Sequence, residues 1–225
     1  MADLNCPQCG APVPMRGAGL PYAVCAHCQT VIARPSDNDH GMAAIGTAAT
    51  LPFDVSPIQL GTGGAVDGTR FTVVGRVRWG WADGAWNEWL LALSDGTTRW
   101  LGEAMGQFQV LTERADVAGH PLIDGFAHGQ PITPGATIDV DGHVMMASDV
   151  KDVTCLGGEG DLPFPTPADW AMTSVDFRSP DGAALSVQRD PQGTSAYVGR
   201  YVELAELRPS RLRRIEGWAM PEGTQ

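Results

Sequence analysis

From about residue 58 onward, apolar and polar positions alternate with a period of two. In FTVVGRVRWGW (71–81), Phe71, Val73, Val77, Trp79 and Trp81 fall on one face and Thr72, Arg76 and Arg78 on the other. That alternation predicts a half-buried strand. Asp83-Gly84 supplies a turn, and WNEWLLAL (86–93) runs back with Trp89, Leu91 and Leu93 on one face. SDG at 94–96 makes the next turn, ahead of strands in TTRWL and GQFQVL. A second hairpin is predicted in ATIDVDGHVMMA, around Asp141-Gly142, followed by a short strand at VTCL. AMTSVDF, AALSVQ and SAYVGRYVEL complete the set, the first two joined by the turn SPDG. The expected fold is mainly β, with a small N-terminal module followed by an antiparallel β-rich domain over 56–216. That domain is a meander, a sandwich or a partly open barrel.

Upstream the period disappears. Residues 34–57 are rich in Pro, Asp, Gly and Ala, which predicts a linker, assigned to 34–55, with one helical turn around 41–48. It carries Asp37, Asp39 and Asp54, and its main large apolar residues are Ile45, Leu51 and Phe53. So little apolar surface predicts that the flanking modules fold independently. A short tail is expected at 217–225.

The first 33 residues hold a different signal. CPQC and CAHC place Cys6, Cys9, Cys25 and Cys28 as two C-x-x-C turns with fifteen residues between them. Two such turns close a thiolate tetrahedron with metal–sulfur distances near ~2.3 Å, the pattern of a structural zinc ribbon. Gly10 suits the tight knuckle after Cys9. Two disulfides would need an oxidising compartment, redox chemistry at a lone C-x-x-C would want a βαβ context, and an iron S4 site shares the geometry. Zn2+ in a structural role is the expectation. Four thiolates leave no open coordination position for catalysis. His27, inside the second knuckle, reads as a solvent-facing or packing residue.

Composition narrows the function classes. The chain has 225 residues, 43% of them hydrophobic, 28 Gly and 17 Pro, with a formal net charge of −11. An acidic surface repels phosphate backbones, so nucleic acid is not an expected partner. No basic and apolar leader opens the sequence, and the longest small-residue run, GMAAIGTAATL, is about half of the ~20 residues a membrane helix needs. The expected location is the cytoplasm.

Trp79, Trp81, Trp86 and Trp89 crowd eleven positions and raise the question of a binding platform. Three of them share faces with strand core residues and read as core, whereas Trp86 lies opposite Trp89 and is expected to be partly exposed. From residue 58 on, 13 Lys and Arg stand against 22 Asp and Glu, which does not suit a base-stacking platform. No nucleophile elbow, H-E-x-x-H or phosphate loop occurs, so no catalytic residue is assigned. His120, His128 and His143 are scattered, and Cys155 reads as a small core residue. Asp139-x-Asp141-Gly142 lacks the remaining ligands of a calcium loop. Arg208, Arg211, Arg213 and Arg214 form one basic cluster, read either as a solvated end or as a dock for an acidic partner or anionic membrane surface.

The segments SPIQLGTGGAVDGTRFTVVGRVRW, WNEWLLALSDGTTRWLGEAMGQF, GEGDLPF and VDFRSPDGAALSVQRD resemble a bacterial domain family of unknown function of the DUF4178 type. The resemblance covers roughly residues 56–207, and members often carry a zinc ribbon ahead of the domain. GEGDLP holds one residue more than the family's usual Gly-Glu-Leu-Pro turn, which leaves the loop at 158–163 undefined. The resemblance implies gene neighbours of the PspA-like membrane-stress type and carries over no catalytic residues. Glu88 and Glu103 fall on its motif positions. Two functions follow as expectations. One is a non-catalytic accessory or adaptor protein acting on protein partners, peripherally associated with membrane proteins. The other is an enzyme or small-ligand-binding protein with its site in the β domain, which a polar pocket lined by Glu88 or Glu103 would favour.

Overall fold

The computed structural model describes residues 4–17, 19–34, 41–52, 54–167 and 169–217. Asp37, Asp39 and Phe53 of the linker, and 218–225 of the tail, lie outside them. β1 (Leu4–Asn5) pairs with β2 (Pro12–Val13), and β3 (Tyr22–Val24), β4 (Thr30–Ala33) and β5 (Ala43–Thr47) follow. The main domain runs through β6 (Gly63–Val66), β7 (Thr69–Trp81), β8 (Gly84–Leu93), β9 (Thr98–Ala104) and β10 (Gln107–Glu113). After α1 (Pro121–Ala127) come β11 (Thr137–Val140), β12 (His143–Leu162), β13 (Ala171–Arg178), β14 (Ala183–Asp190) and β15 (Gly193–Val202).

The fold is mainly β and antiparallel. Strands β6 to β10 form a meander, β10 passes to β15, and β15, β14, β13 and β12 follow in hydrogen-bonded order. β12 also pairs back onto β7, with Cys155 opposite Trp79 and Gly160 opposite Gly75. The sheet is therefore partly ringed without being a barrel. Separate partners for the two ends of β12 explain how one strand of 20 residues turns the corner, helped by register shifts at Ala147/Asp149 and Cys155/Gly157. The sequence predicted a short strand at VTCL and a loop at 158–163; VTCL and 158–162 belong to this one strand.

Two apolar layers cover the ring from outside. Ile123 and Phe126 of α1 pack on Val175, Phe177, Leu185 and Val187 of β13 and β14. Phe71, Val73, Trp89, Leu91 and Leu101 are covered by Ile58 and Leu207 from the flanking segments. A third cluster, Val77, Trp79, Val153, Cys155, Leu162 and Met172, lies where β12 meets β7.

Two expectations change. A bulge between Val73 and Gly75 shifts the register of β7. The single face expected for Phe71 to Trp81 is split in two. Phe71 and Val73 pack with Trp89, whereas Val77 and Trp79 pack in the third cluster. Second, the segment expected to hold a helical turn at 41–48 is instead a strand. β5 pairs with β4, β4 with β3, and β3 with β12 through Val24, Ala23 and Tyr22 opposite Gly160, Asp161 and Leu162. The ribbon thus extends the main sheet. Asp161, 1% exposed, accepts from the backbone N–H of Arg16 (2.5 Å) and Gly17 (2.6 Å) and pairs with Arg34 at 2.7 Å. The expected separation of the two modules gives way to a buried, charged joint.

Side chains are excluded where β7 and β12 cross. A Cβ on Gly75 would overlap the carbonyl oxygen of Asp161, and one on Gly160 the carbonyl of Val74. Backbone atoms in a sheet have no room to retreat. Gly75→Ala should therefore cost about 3 kcal/mol or more in denaturant unfolding, beyond the usual range for one added methyl group.

Candidate functional site

On the concave side of the ring, alternate residues of successive strands point inward. Asp149, Asp176, Ser186 and Tyr197 stand opposite one another across β12 to β15, and Lys151, Ser174, Gln188 and Ser195 form the next rung. Glu88 of β8 faces Gly102 of β9, which faces Gln109 of β10. Together they line a cavity of about 730 Å3, within the range of small-molecule sites.

One wall is aromatic. Trp79 meets Trp170 edge-on at 4.9 Å, Trp170 meets Phe164 at 5.1 Å, and Phe164 stacks on Trp100 at 5.7 Å. Trp81 and Trp86 lie 5.7 Å apart. Trp79 and Trp89 are buried, as expected, and Trp86 is half-buried, as expected; Trp81 is half-buried where the sequence placed it in the core. The bulge sets Trp79 and Trp86 on the cavity side and Trp89 on the other.

Glu88 organises this wall. It accepts from Trp79 Nε1 (3.0 Å), Trp86 Nε1 (3.1 Å) and, from the far side of the ring, Gln188 Nε2 (2.9 Å). Burial pushes its carboxyl above the ordinary range against the pull of those donors. Asp176 is raised to about 6, first by burial and then by the Asp149 charge, with Ser186, Arg178 and Lys151 working the other way. Burial raises the Tyr197 hydroxyl too.

The opposite face of β7 and β8 carries a second polar cluster. Asp54, from the segment read as a linker, is ion-paired with Arg76, with Arg213 at 3.1 Å and with Arg78 at 3.4 Å. Arg76 also reaches Glu159 at 3.3 Å and lies 4.6 Å over the Trp89 ring. Asn87 bonds Asp54 and Glu103, and Glu103 accepts from Trp89 Nε1 at 2.9 Å. Burial works against ionisation of Asp54, yet Arg76, Asn87 and Arg213 hold its carboxyl below the ordinary range. This cluster fastens the segments before β6 and after β15 to the ring. Arg213, expected in an external basic patch, is one of its members, and the Arg211 carbonyl accepts from Gln59 Nε2 at 2.8 Å. Arg208 and Arg214 are exposed.

The four N-terminal cysteines come together as the spacing predicted. All four sulfurs lie within 4.8 Å of one another, with Cys6 to Cys28 at 3.6 Å and Cys9 to Cys25 at 3.8 Å. A tetrahedron with ~2.3 Å metal–sulfur bonds has edges of about 3.8 Å, so this donor set fits a metal ion. Gly10 and Gln29, each four residues after the first cysteine of a knuckle, take positive φ (74° and 60°) and donate to the Cys6 and Cys25 carbonyls. Thr30 contacts Cys28 Sγ at 3.1 Å and, with its backbone N–H, holds that thiol down at about 6. His27 is exposed.

The remaining expectations resolve locally. His120 caps α1 by accepting from Leu122 N–H, His128 contacts the Asp124 carbonyl, and His143 pairs with Asp181 at 2.8 Å. Asp139 accepts from Gly142 N–H within its hairpin. Burial raises the Cys155 thiol to about 11. Of the two glutamates on family motif positions, Glu88 enters the cavity fully, and Glu103 joins the Asp54 cluster while reaching the cavity edge. The sequence reading missed Asp176, Gln188, Tyr197, Trp100, Phe164 and Trp170. Their alternation in VDF, SVQR and SAY is visible, but a polar stripe on a strand reads as a solvated face until the ring closes over it.

The chain belongs to a protein family whose model spans most of this ring. That family is described as a domain of unknown function (DUF4178), whose model matches residues 59–204. No curated protein and no solved structure matches the chain. No helix among the described residues is long and apolar enough to cross a membrane.

Two substitutions separate the faces of β8. Trp89→Ala opens the covered core and should cost about 3 kcal/mol or more, whereas Trp86→Ala should cost about 1 kcal/mol, both read by denaturant unfolding. Asp176 titrates near 6 when folded and near its ordinary 3.8 when unfolded. Its protonated form favours the fold fully below the lower value, and that advantage is lost as pH rises through the upper one. Asp176→Asn should therefore stabilise the protein near pH 8, by up to about 3 kcal/mol, and leave it unchanged near pH 3.5.

Proposed function

We propose that the β domain is a small-ligand-binding module whose site is the ring cavity. The observation that carries this reading is the convergence of Glu88, Asp176 and Gln188 with the six aromatic side chains of the wall on one concave surface of about 730 Å3. Holding two carboxylates with raised pKa values in a cavity is unfavourable for the empty fold, which is the stability cost expected of a binding site. The cysteine centre is read as a structural Zn2+ site, suited to a reducing compartment such as the cytoplasm. A second reading, docking of a protein partner in an accessory complex, is favoured by β5, which ends the sheet and is exposed along its whole length.

A fragment library screened by ligand-observed NMR tests the main reading. Hits are expected whose binding is lost in Trp86→Ala while the fold remains; no hits, or hits indifferent to Trp86, would overturn it. Elemental analysis should find close to one zinc per chain. Because β3 pairs with β12, chelation is expected to lower the melting temperature of the whole protein. Unchanged melting of the ring after metal removal would mean the joint at Asp161 holds without it.

A further inference from the structure

The two faces of β8 treat buried carboxylates differently. On the outer face Asp54 meets three arginines and Glu103 meets Asn87 and Trp89. On the cavity face, no ion pair among the described residues involves Glu88 or Asp176. The donors that reach Glu88 are two indoles and an amide. Carboxylates lining the cavity are Glu88, Glu103, Asp149, Asp176 and Asp190, against Lys151 and Arg178. Both of those cations are engaged at the margin. Lys151 pairs with Asp149 at 2.7 Å, and Arg178 donates to the Tyr201 hydroxyl and covers its ring at 4.7 Å. Lys151 Nζ also lies 5.5 Å from the Trp81 ring centre, so an ammonium group already sits over this aromatic wall.

A net negative charge beside indole rings attracts one chemistry above others. A positive charge gains from the carboxylates and from the ring quadrupoles together, while alkyl groups on it gain from the same apolar surface. We infer that the cavity is a site for a small organic ammonium ion, its charge set against Glu88 and Asp176 and its alkyl groups against Trp81, Trp86 and Trp100. This rests on the ligand-binding reading above and adds the class of ligand. An alcohol of the same shape forfeits the charge term, and a carboxylate is repelled. The groups facing Asp176 are Asp149 and Lys151 of β12, Arg178 of β13, Ser186 of β14, Tyr201 of β15 and Glu88 of β8. None of them is a histidine, so binding should follow ionisation of the two carboxylates. Affinity for the cation should be about tenfold weaker at pH 5 than at pH 7.5, given the Asp176 pKa of about 6.

The test uses the full, metal-loaded chain and two shape-matched triplets: tetramethylammonium, neopentyl alcohol and pivalate; butylammonium, butanol and butyrate. The indole N–H signals of Trp79 and Trp86 report the cavity, and the backbone amide signal of Leu91, buried in the cluster on the other face, is the internal control. The cation of at least one triplet should shift the first two signals, leave the third, and bind at least tenfold more tightly than its alcohol. Asp176→Asn should remove that tenfold preference without moving the Leu91 signal. If an alcohol or carboxylate binds as well as its cation, the inference falls and the ligand-binding reading stands. If no triplet member shifts the cavity signals, the inference falls, and the fragment screen decides separately whether the wider reading falls with it.

Discussion

The ring exists because two backbones can touch without side chains between them. At the crossing of β7 and β12, Gly75 and Gly160 stand opposite one another, and any Cβ there would meet a carbonyl oxygen. That contact turns an open antiparallel meander back on itself and makes β12 serve two partners in succession. The preceding bulge follows from the same approach. β7 shifts register between Val73 and Gly75, and everything beyond it changes face. Without the crossing, the polar stripes of β13, β14 and β15 would face water, and no cavity would form.

The change of face decides the chemistry on both sides of β8. Before the bulge, odd positions of β7 pack against Trp89 and Leu91; beyond it, the side that holds those residues receives Arg76, which lies over the Trp89 ring. The outer polar cluster is therefore neutral in character: each buried carboxylate has a guanidinium or an amide beside it. Such clusters favour one arrangement of chain segments over others, because an ion left alone in this setting costs several kcal/mol. Here the segments so arranged are those before β6 and after β15. The inner side receives Trp79 and Trp86 and leaves Glu88 with indole and amide donors alone. Fastening and recognition are thus separated by the thickness of one strand.

Legibility in the sequence follows the range of the interactions. The cysteine cluster was readable because two short turns carry all four ligands, and the hairpins were readable because each turn sits beside the strands it joins. Trp89 and Trp86 were assigned to opposite sides correctly, since they lie on one uninterrupted strand. Trp79 was placed with Trp89 because alternation cannot reveal a bulge in VVGRV. Asp54 was read as part of a linker; its partners Arg76, Asn87 and Arg213 are 22, 33 and 159 residues away. The long β12 was broken into a strand and a loop because its glycines mimic a turn. Asp176 and Gln188 were polar residues on apparently solvated strand faces, and only closure of the ring makes them interior.

The same distinction explains why the ribbon was expected to stand apart. Apolar residues in 34–57 are few, and that remains true in the structure. What joins the ribbon to the ring is polar: the carboxylate of Asp161, the backbone N–H groups of Arg16 and Gly17, and Arg34. Between Gly17 and Arg34 the chain passes through β3, the Cys25–Cys28 knuckle and β4. The partners of the buried carboxylate thus lie on both sides of that knuckle, and β3 depends on β12 for its hydrogen bonds. Asp161 directly follows Gly160, the residue at the crossing. The joint to the ribbon and the contact that closes the ring over the cavity thus lie side by side on one short stretch of β12.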